Sequence, residues 1–261
     1  MKIAEVIETI ERFAPLSLQE SYDNSGLTVG RPDDEVHSAL LAVDVTEDVL
    51  DEAEQLGCDI IITHHPIIFH PLKRFNSGDA VQRCVERAIR KGIALYACHT
   101  NLDSASRGMS WHLARKLGIV SPEVLEPSPA GCGTGFGAVG ELGRPVPFGE
   151  FMERIRTVTG ARILRHSAPV SPVVSRVALC TGAGSSLMEA ARMSGAQVYV
   201  TSDLKYNDFY TPDGDFTVVD AGHFESEYCA IEILFDILSK NLRNFAVRGS
   251  ERAKNPVCYF V

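Results

Sequence analysis

Residues 38–65 read SALLAVDVTEDVLDEAEQLGCDIIITHH, and this stretch decides the fold. The apolar run at 38–43 predicts a buried strand. Thr46 is the expected N-cap of a helix, and Gly57 marks the end of that helix. The run Asp59–Ile62 predicts a second strand. A strand, a helix and a strand within about thirty residues form a unit whose strands are parallel, so the sequence predicts an α/β fold.

The same pattern recurs at residues 176–203, which read RVALCTGAGSSLMEAARMSGAQVYVTSD. The two stretches align without a gap at an offset of 138 residues. Four aligned pairs are identical: Leu41/Leu179, Ala53/Ala191, Gly57/Gly195 and Thr63/Thr201. This internal strand–helix–strand repeat predicts two similar α/β lobes.

The boundary between the lobes is predicted in residues 121–135, which are rich in Pro, Gly and Ser. We therefore assign residues 1–126 to the first lobe and 127–261 to the second. A helix over Cys229–Leu242 and a terminal strand over Val257–Val261 are expected to pack back on the first lobe.

The first candidate site is Thr63-His64-His65-Pro66, at the carboxyl end of a predicted strand. Ligands of α/β proteins bind at that end. Neighbouring side chains of an extended chain point to opposite sides, but a turn can direct both imidazoles into one cleft. The alternative interpretation is that one histidine caps the strand and the other packs.

Two further pairs follow predicted strands. His99 precedes Asp103 by four residues, and His223 precedes Glu227 by four residues. A histidine and a carboxylate at this spacing share one face of a helix. Each lobe therefore offers one such pair, and the first lobe adds the histidine doublet.

Composition narrows the class of protein. The 261 residues carry a formal net charge of −9, which disfavours a nucleic-acid partner. The N-terminus has no signal-peptide pattern, and no apolar run approaches the roughly 18 residues that span a bilayer. The seven cysteines include no CxxC pair, which is typical of reduced thiols. We expect a cytoplasmic protein without a membrane partner.

Five candidate ligands carry nitrogen or oxygen donors and no thiolate: His64, His65, Asp103, His223 and Glu227. This set suits Zn, Fe, Mn, Co or Ni. It exceeds the ligands of one tetrahedral ion, so two divalent ions are expected. Such a pair can polarise a carbonyl, amidine or phosphoryl group. The alternative is that these residues are unrelated surface and core positions.

The loop Thr181–Ser186, TGAGSS, is predicted to join a strand to a helix. Backbone amides at a helix N-terminus can bind a phosphate. A simple tight turn explains the same residues equally well.

Together these stretches resemble the NIF-three-like family, also called GTP cyclohydrolase type 2 homologues. The residues that carry the resemblance are YDNSGLTVG, LAVDVT, DIIITHHPIIF, ACHTNLDSA, TGAGSS, VTSDLKY and DAGHFESE, in the order of the family. The chain is similar to the short members, which lack an inserted middle domain. It departs from many relatives at Asn207, where they have a histidine.

The resemblance implies two lobes with a dinuclear metal site between them. In the family pattern His65 and Asp103 hold one ion, His64 and His223 hold the other, and Glu227 touches or bridges both. His99 then contacts the ligands or the substrate. The resemblance also implies self-association into a toroidal homohexamer.

Two functions remain open. The first is a metal-dependent hydrolase for a small, nucleotide-like substrate, in which Glu227 orients or deprotonates water and His99 transfers a proton. The second is a metal-loaded ring that acts as a scaffold or regulator without catalysis.

Overall fold

The computed structural model describes residues 1–129, 131, 133–210 and 214–260. In this part of the chain the helices are α1 Ile3–Glu11, α2 Glu47–Leu56, α3 Ala80–Lys91, α4 Thr100–Ser104, α5 Met109–Lys116, α6 Phe148–Thr159, α7 Met188–Met193, α8 His223–Glu227 and α9 Cys229–Asn241. The strands are β1 Gly26–Val29, β2 Ser38–Ala42, β3 Ile60–Thr63, β4 Ala94–Ala97, β5 Ile119–Pro127, β6 Gly135–Pro147, β7 Arg165–His166, β8 Val173–Ala183, β9 Val198–Ser202, β10 Thr217–Asp220 and β11 Ala246–Gly249.

These elements form two compact units, each with its own sheet. The first unit comprises Met1–Leu102 and Ala230–Pro256, and the second comprises Asp103–Cys229 and Val257–Val261. The first sheet has the order β1-β4-β3-β2-β11, and the second has the order β5-β6-β8-β9-β10-β7. The predicted α/β class is confirmed.

The strand–helix–strand unit predicted at residues 38–65 is confirmed in the first sheet. Strand β2 pairs in parallel with β3, and α2 connects them. The Thr46 side chain accepts a hydrogen bond from the Val49 amide at 3.2 Å, and Gly57 ends the helix with a left-handed φ of 65°. The local signals for capping therefore produce the expected boundaries.

Strand β3 lies in the centre of the first sheet and is buried throughout. Apolar residues of α2 and α3 pack on this sheet, including Leu50 and Val85 against Ile61. Each fully buried side chain of this size contributes about 2 kcal/mol through the hydrophobic effect. This packing holds β3 in place, and the histidine doublet directly follows this strand.

The second copy of the repeat forms β8, α7 and β9 of the second unit, with the two strands parallel. Strand β10 extends the sheet in parallel with β9. Phe151 and Ile155 of α6 pack in one cluster with Val177, Val198 and Val219 of the sheet. The predicted pair of similar α/β lobes is therefore present as two sheets.

The division of the chain differs from the expected boundary at residues 126 and 127. Residues 121–127 of the expected boundary belong to β5, and Gly135 begins β6, which pairs antiparallel with β5 in the second sheet; residues 130 and 132 lie outside the described residues. Pro residues are tolerated in such an edge strand. The chain leaves the first unit after Leu102 and returns at Ala230.

The C-terminal segment returns to the first unit through β11, which pairs in parallel with β2. The strand predicted over 257–261 is wrong for residues 257–260, which form none, and Val261 lies outside the described residues. Where the structure describes the chain, no helix is long and apolar enough to cross a membrane.

Candidate metal centre

His64 and His65 directly follow β3, at the carboxyl end of the first parallel sheet. The Thr63 hydroxyl donates to the His65 carbonyl at 2.8 Å, which fixes the turn that follows the strand. His64 is buried and His65 is partly exposed. The doublet therefore lies where the sequence predicted it, at the sheet edge where α/β proteins bind ligands.

Three histidine rings meet at this edge. The ring centroids of His64 and His65 are 5.0 Å apart, and His99 lies 5.2 and 5.5 Å from them. One nitrogen from each ring lies within 4.8 Å of the others. His99, which follows β4, is thus brought to the same place as the doublet, and the group can bind a metal ion.

Each of the three rings is oriented through Nδ1. The His64 Nδ1 bonds to the Cys98 carbonyl at 2.9 Å, and the His65 Nδ1 bonds to the Asp44 carboxylate at 2.7 Å. The His99 Nδ1 bonds to the Asp23 carboxylate at 2.8 Å. These oxygens only accept, so Nδ1 carries the hydrogen and Nε2 is the nitrogen suited to a metal.

Asp23 is the most enclosed of these partners, because its side chain has no exposed surface. It also accepts hydrogen bonds from the Ser25 hydroxyl at 2.7 Å and the Thr100 amide at 3.1 Å. Burial alone would raise the pKa of the Asp23 carboxyl, but the bonds from His99, Thr100 and Ser25 hold it far below its usual range. Asp23 is therefore an ionised anchor for His99.

The second unit positions His223 and Glu227 on α8, which follows β10 after a short turn. The His223 Nδ1 bonds to the Asp203 carboxylate at 2.7 Å, and its Nε2 lies 3.0 Å from the Glu227 carboxylate. The predicted spacing of four residues does place the pair on one helical face. Glu227, together with Asp203, raises the pKa of His223 to about 9, against the opposing effect of burial.

Asp103, at α4, belongs to the same unit as this pair. Burial, together with the charges of Asp103 and Glu227, raises the pKa of the Cys180 thiol to about 12. Both carboxylates therefore act on one buried thiol of β8. The second unit supplies two carboxylates and one imidazole from the predicted ligand set.

The TGAGSS loop packs against α8. The Gly182 amide donates to the Ser226 hydroxyl at 3.0 Å, and the Thr201 hydroxyl donates to the Gly182 carbonyl at 3.1 Å. The Gly184 carbonyl accepts from the Tyr199 hydroxyl at 2.7 Å. Helix α7 has only six residues. These contacts favour the tight-turn interpretation of the loop over the phosphate site.

The sequence did not identify the carboxylates that orient the histidines. Asp44 and Asp203 each follow a strand that lies next to the strand or helix of its partner, and Asp23 lies just before β1. Aspartates at the carboxyl ends of parallel strands are a signal that could have found two of them. Asn207 is exposed on a short 3₁₀ segment.

The fold and these residues define an α/β protein of two sheet-containing units with a histidine cluster able to bind a metal. The sequence model described as Duf34/NIF3 (NGG1p interacting factor 3) matches residues 1–256. The chain belongs to this family, which confirms the resemblance found in its motifs.

Relatives of known sequence and structure agree with this assignment. A protein of Clostridium perfringens named GTP cyclohydrolase 1 type 2 homolog is 33% identical over 87% of both chains. A protein of Clostridium acetobutylicum with the same name is 31% identical over 95% of this chain and 93% of its own. A crystal structure of a Staphylococcus aureus hypothetical protein covers 100% of this chain and 99% of its own, with a TM-score of 0.91 and 26% identity.

Proposed function

We propose that the protein is a dinuclear metal-dependent hydrolase that acts on a small, nucleotide-like substrate. The observation that carries the proposal is the group of three histidines, each oriented through Nδ1 by a carboxylate or carbonyl oxygen. Metal-binding histidines characteristically have such partners. The name GTP cyclohydrolase 1 type 2 homolog, which two relatives carry, supports a nucleotide-like substrate.

In this proposal the donors of both units share one centre. His64 and His65 come from the first unit, and Asp103, His223 and Glu227 come from the second. Neither set alone has enough ligands for two ions. Imidazole with carboxylate suits Zn, Fe, Mn, Co or Ni, and the two carboxylates offset part of the charge of two dications.

The bound ions would supply Lewis acidity and an acidified water. Glu227 is buried and bonded to His223, and in this proposal its carboxylate would orient a water molecule and accept its proton. His99 is held by Asp23 beside the other two rings. From there it can pass a proton to the leaving group, the role expected from the sequence, or bind an ion directly.

The proposal is tested by a screen of C–N and P–O substrates with the metal-loaded protein. Glu227→Gln should lower turnover at least a hundredfold, the usual effect of losing a general base. Glu189→Gln is the control, because Glu189 is an exposed partner of Arg192 and is not one of the candidate ligands. Equal turnover of the Glu227→Gln variant and the wild type would contradict the assigned role.

We also propose that the chain forms a ring-shaped homohexamer. Support comes from Tyr206 and Tyr210 of the second unit, whose rings are mostly exposed and whose hydroxyls bond at 2.9 Å. Exposed aromatic side chains are enriched at protein interfaces. Light scattering should give about six times the chain mass of 28.5 kDa.

Two bound ions in a ring without any turnover would favour the scaffold function instead.

A further inference from the structure

We infer that two aromatic rings and two cations of the first unit form a nucleotide-binding surface, which lies outside the set of metal ligands. The rings would hold the base and the cations would hold the phosphates. These residues are Tyr22, Phe69, Lys73 and Arg74. The inference rests on the proposed function and deepens it, because it names the side chains that would recognise the substrate.

Tyr22 and Phe69 form the aromatic part of the surface. Tyr22 lies before β1, and Phe69 lies in the segment between β3 and α3. Their ring centroids are 6.5 Å apart, and their planes are tilted by 58°. Although the two rings pack together, 64% of Tyr22 and 38% of Phe69 remain exposed. Stacking of a base on such a ring is worth ~1–3 kcal/mol, so the pair offers a site for a planar heteroaromatic group.

Contacts of their own segments hold the two rings in place. The Asn24 side chain donates a hydrogen bond to the Ile68 carbonyl at 2.6 Å. This bond joins the turn after Tyr22 to the residue before Phe69. The ring centroid of Phe69 also lies 6.1 Å from that of His99, with the planes at 81°. A base that stacks on Phe69 would therefore lie next to the histidine cluster.

Lys73 and Arg74 form the cationic part of the surface. They belong to residues 60–78, which contain no Asp or Glu although the whole chain carries a net charge of −9. Both side chains are exposed. Within the described part of the chain neither forms an ion pair with a carboxylate, whereas Arg83 and Arg87 of α3 do. Their charge is therefore not neutralised by the protein, and it can support charge-assisted hydrogen bonds to phosphate.

The spacing of the two parts suits one extended anionic ligand. Phe69 and Lys73 are four positions apart, so their Cα atoms lie within about 14 Å of each other. A nucleotide joins a planar base to its phosphates over a comparable length. An acidic peptide with an aromatic side chain has related chemistry. The contact of Phe69 with His99 favours the nucleotide, because the proposed reaction needs its substrate beside the histidine cluster.

The test measures the dissociation constants of GTP and of inorganic triphosphate by calorimetric titration of the metal-loaded, full-length protein. Tyr22→Ala and Phe69→Ala should each weaken GTP binding at least fivefold and leave triphosphate binding unchanged, because only the base loses a stacking partner. Lys73→Ala combined with Arg74→Ala should weaken the binding of both ligands at least fivefold. Phe69→Tyr keeps an aromatic ring and should keep the wild-type affinity for GTP.

Two exposed residues of α9, in the same unit, provide matched controls. Phe235→Ala removes a phenylalanine that is 43% exposed, and Lys240→Ala removes a cation whose side chain is 69% exposed. Neither substitution should change the affinity for GTP. The metal content of every variant is measured as well, because Phe69 contacts His99. If Phe69→Ala fails to fold, Phe69→Leu with the same measurements replaces it.

Absence of GTP binding, or one affinity for GTP in the wild type, Tyr22→Ala and Phe69→Ala, would overturn the inference and leave the proposed hydrolase intact. Binding of an acidic peptide in place of GTP, weakened by the same variants, would assign the surface to a protein partner and would also overturn it. A wild type that binds GTP with the expected pattern but retains no metal after loading would support the inference and overturn the proposed function.

Discussion

Gly182 of β8 lies directly against the carboxylate of Glu227. A Cβ at Gly182 would overlap the Glu227 Oε1 and would lie 3.1 Å from its Cδ and 3.5 Å from the His223 Nε2. The glycine in the TGAGSS loop therefore provides the space that a ligand side chain occupies. This relationship explains the glycine without a bound phosphate.

We expect Gly182→Ala to displace the Glu227 carboxylate and to weaken metal binding at least tenfold, as judged by Co²⁺ titration. Gly195→Ala is a matched control, because its φ of +76° is close to the +64° of Gly182 but nothing lies within 4 Å of its added Cβ. Both variants carry the strain of a left-handed alanine, roughly 1–2 kcal/mol. Equal metal affinities of the two variants would contradict the role of Gly182.

A second prediction concerns the carboxylate that orients His223. Asp203→Asn removes the charge that fixes Nδ1 and should lower metal affinity ten- to a hundredfold. Asparagine tolerates the left-handed backbone that Asp203 adopts, with φ of 57°, so the fold should persist. Asp215→Asn, which affects an exposed partner of Arg192, is the control. The prediction would be refuted if calorimetric titration with Zn²⁺ gave the same affinity for the Asp203→Asn and Asp215→Asn variants.

A third prediction concerns Glu52 of α2, which holds the C-terminal segment of the first unit. Its buried carboxylate accepts hydrogen bonds from the Glu251 amide at 2.9 Å, the Arg252 amide at 3.1 Å and the Ser250 hydroxyl. Burial tends to raise the pKa of Glu52, but these bonds lower it below the ordinary value of 4.5. The carboxylate therefore stabilises the fold above pH 4.5, and this contribution is lost as the pH falls through the lower folded pKa.

Glu52→Gln should cost about 2 kcal/mol of unfolding free energy at pH 7, the usual range for hydrogen bonds to a charged group. The difference from the wild type should shrink at acid pH, below 4.5, when urea unfolding is compared at both pH values. Glu54→Gln is the control, because Glu54 forms surface ion pairs with Arg87 and Lys91. A difference in unfolding free energy between the wild type and Glu52→Gln that grows as the pH falls would contradict the role assigned to the Glu52 carboxylate.

The sequence predicts the local elements well because their signals are local. Thr46 and Gly57 cap one helix, and the apolar run that ends at Ile62 is typical of a buried strand, which β3 confirms. The histidine doublet, His99 and the spacing of His223 and Glu227 follow from the same strand boundaries. These features depend on residues a few positions apart, so one sequence is enough to find them.

The remaining features depend on contacts between residues that are far apart in the sequence. The periodicity of apolar residues does not reveal such contacts. Asp23 bonds to a histidine 76 positions away, and Asp203 to one 20 positions away. The Pro, Gly and Ser residues of 121–135 are typical both of a linker between lobes and of a turn within one sheet. Only the pairing of β5 with β6 distinguishes these two interpretations. The return of β11 to β2 likewise becomes visible only in the folded sheet.

The central claim is that His65 and its partners hold metal ions. Metal content per chain, measured by elemental analysis of the wild type, His65→Ala and the exposed control His37→Ala after identical loading, tests it most directly. The account predicts two ions in the wild type and the control, and fewer in His65→Ala with an unchanged circular dichroism spectrum. A His65→Ala protein that retains both ions at wild-type affinity would contradict it.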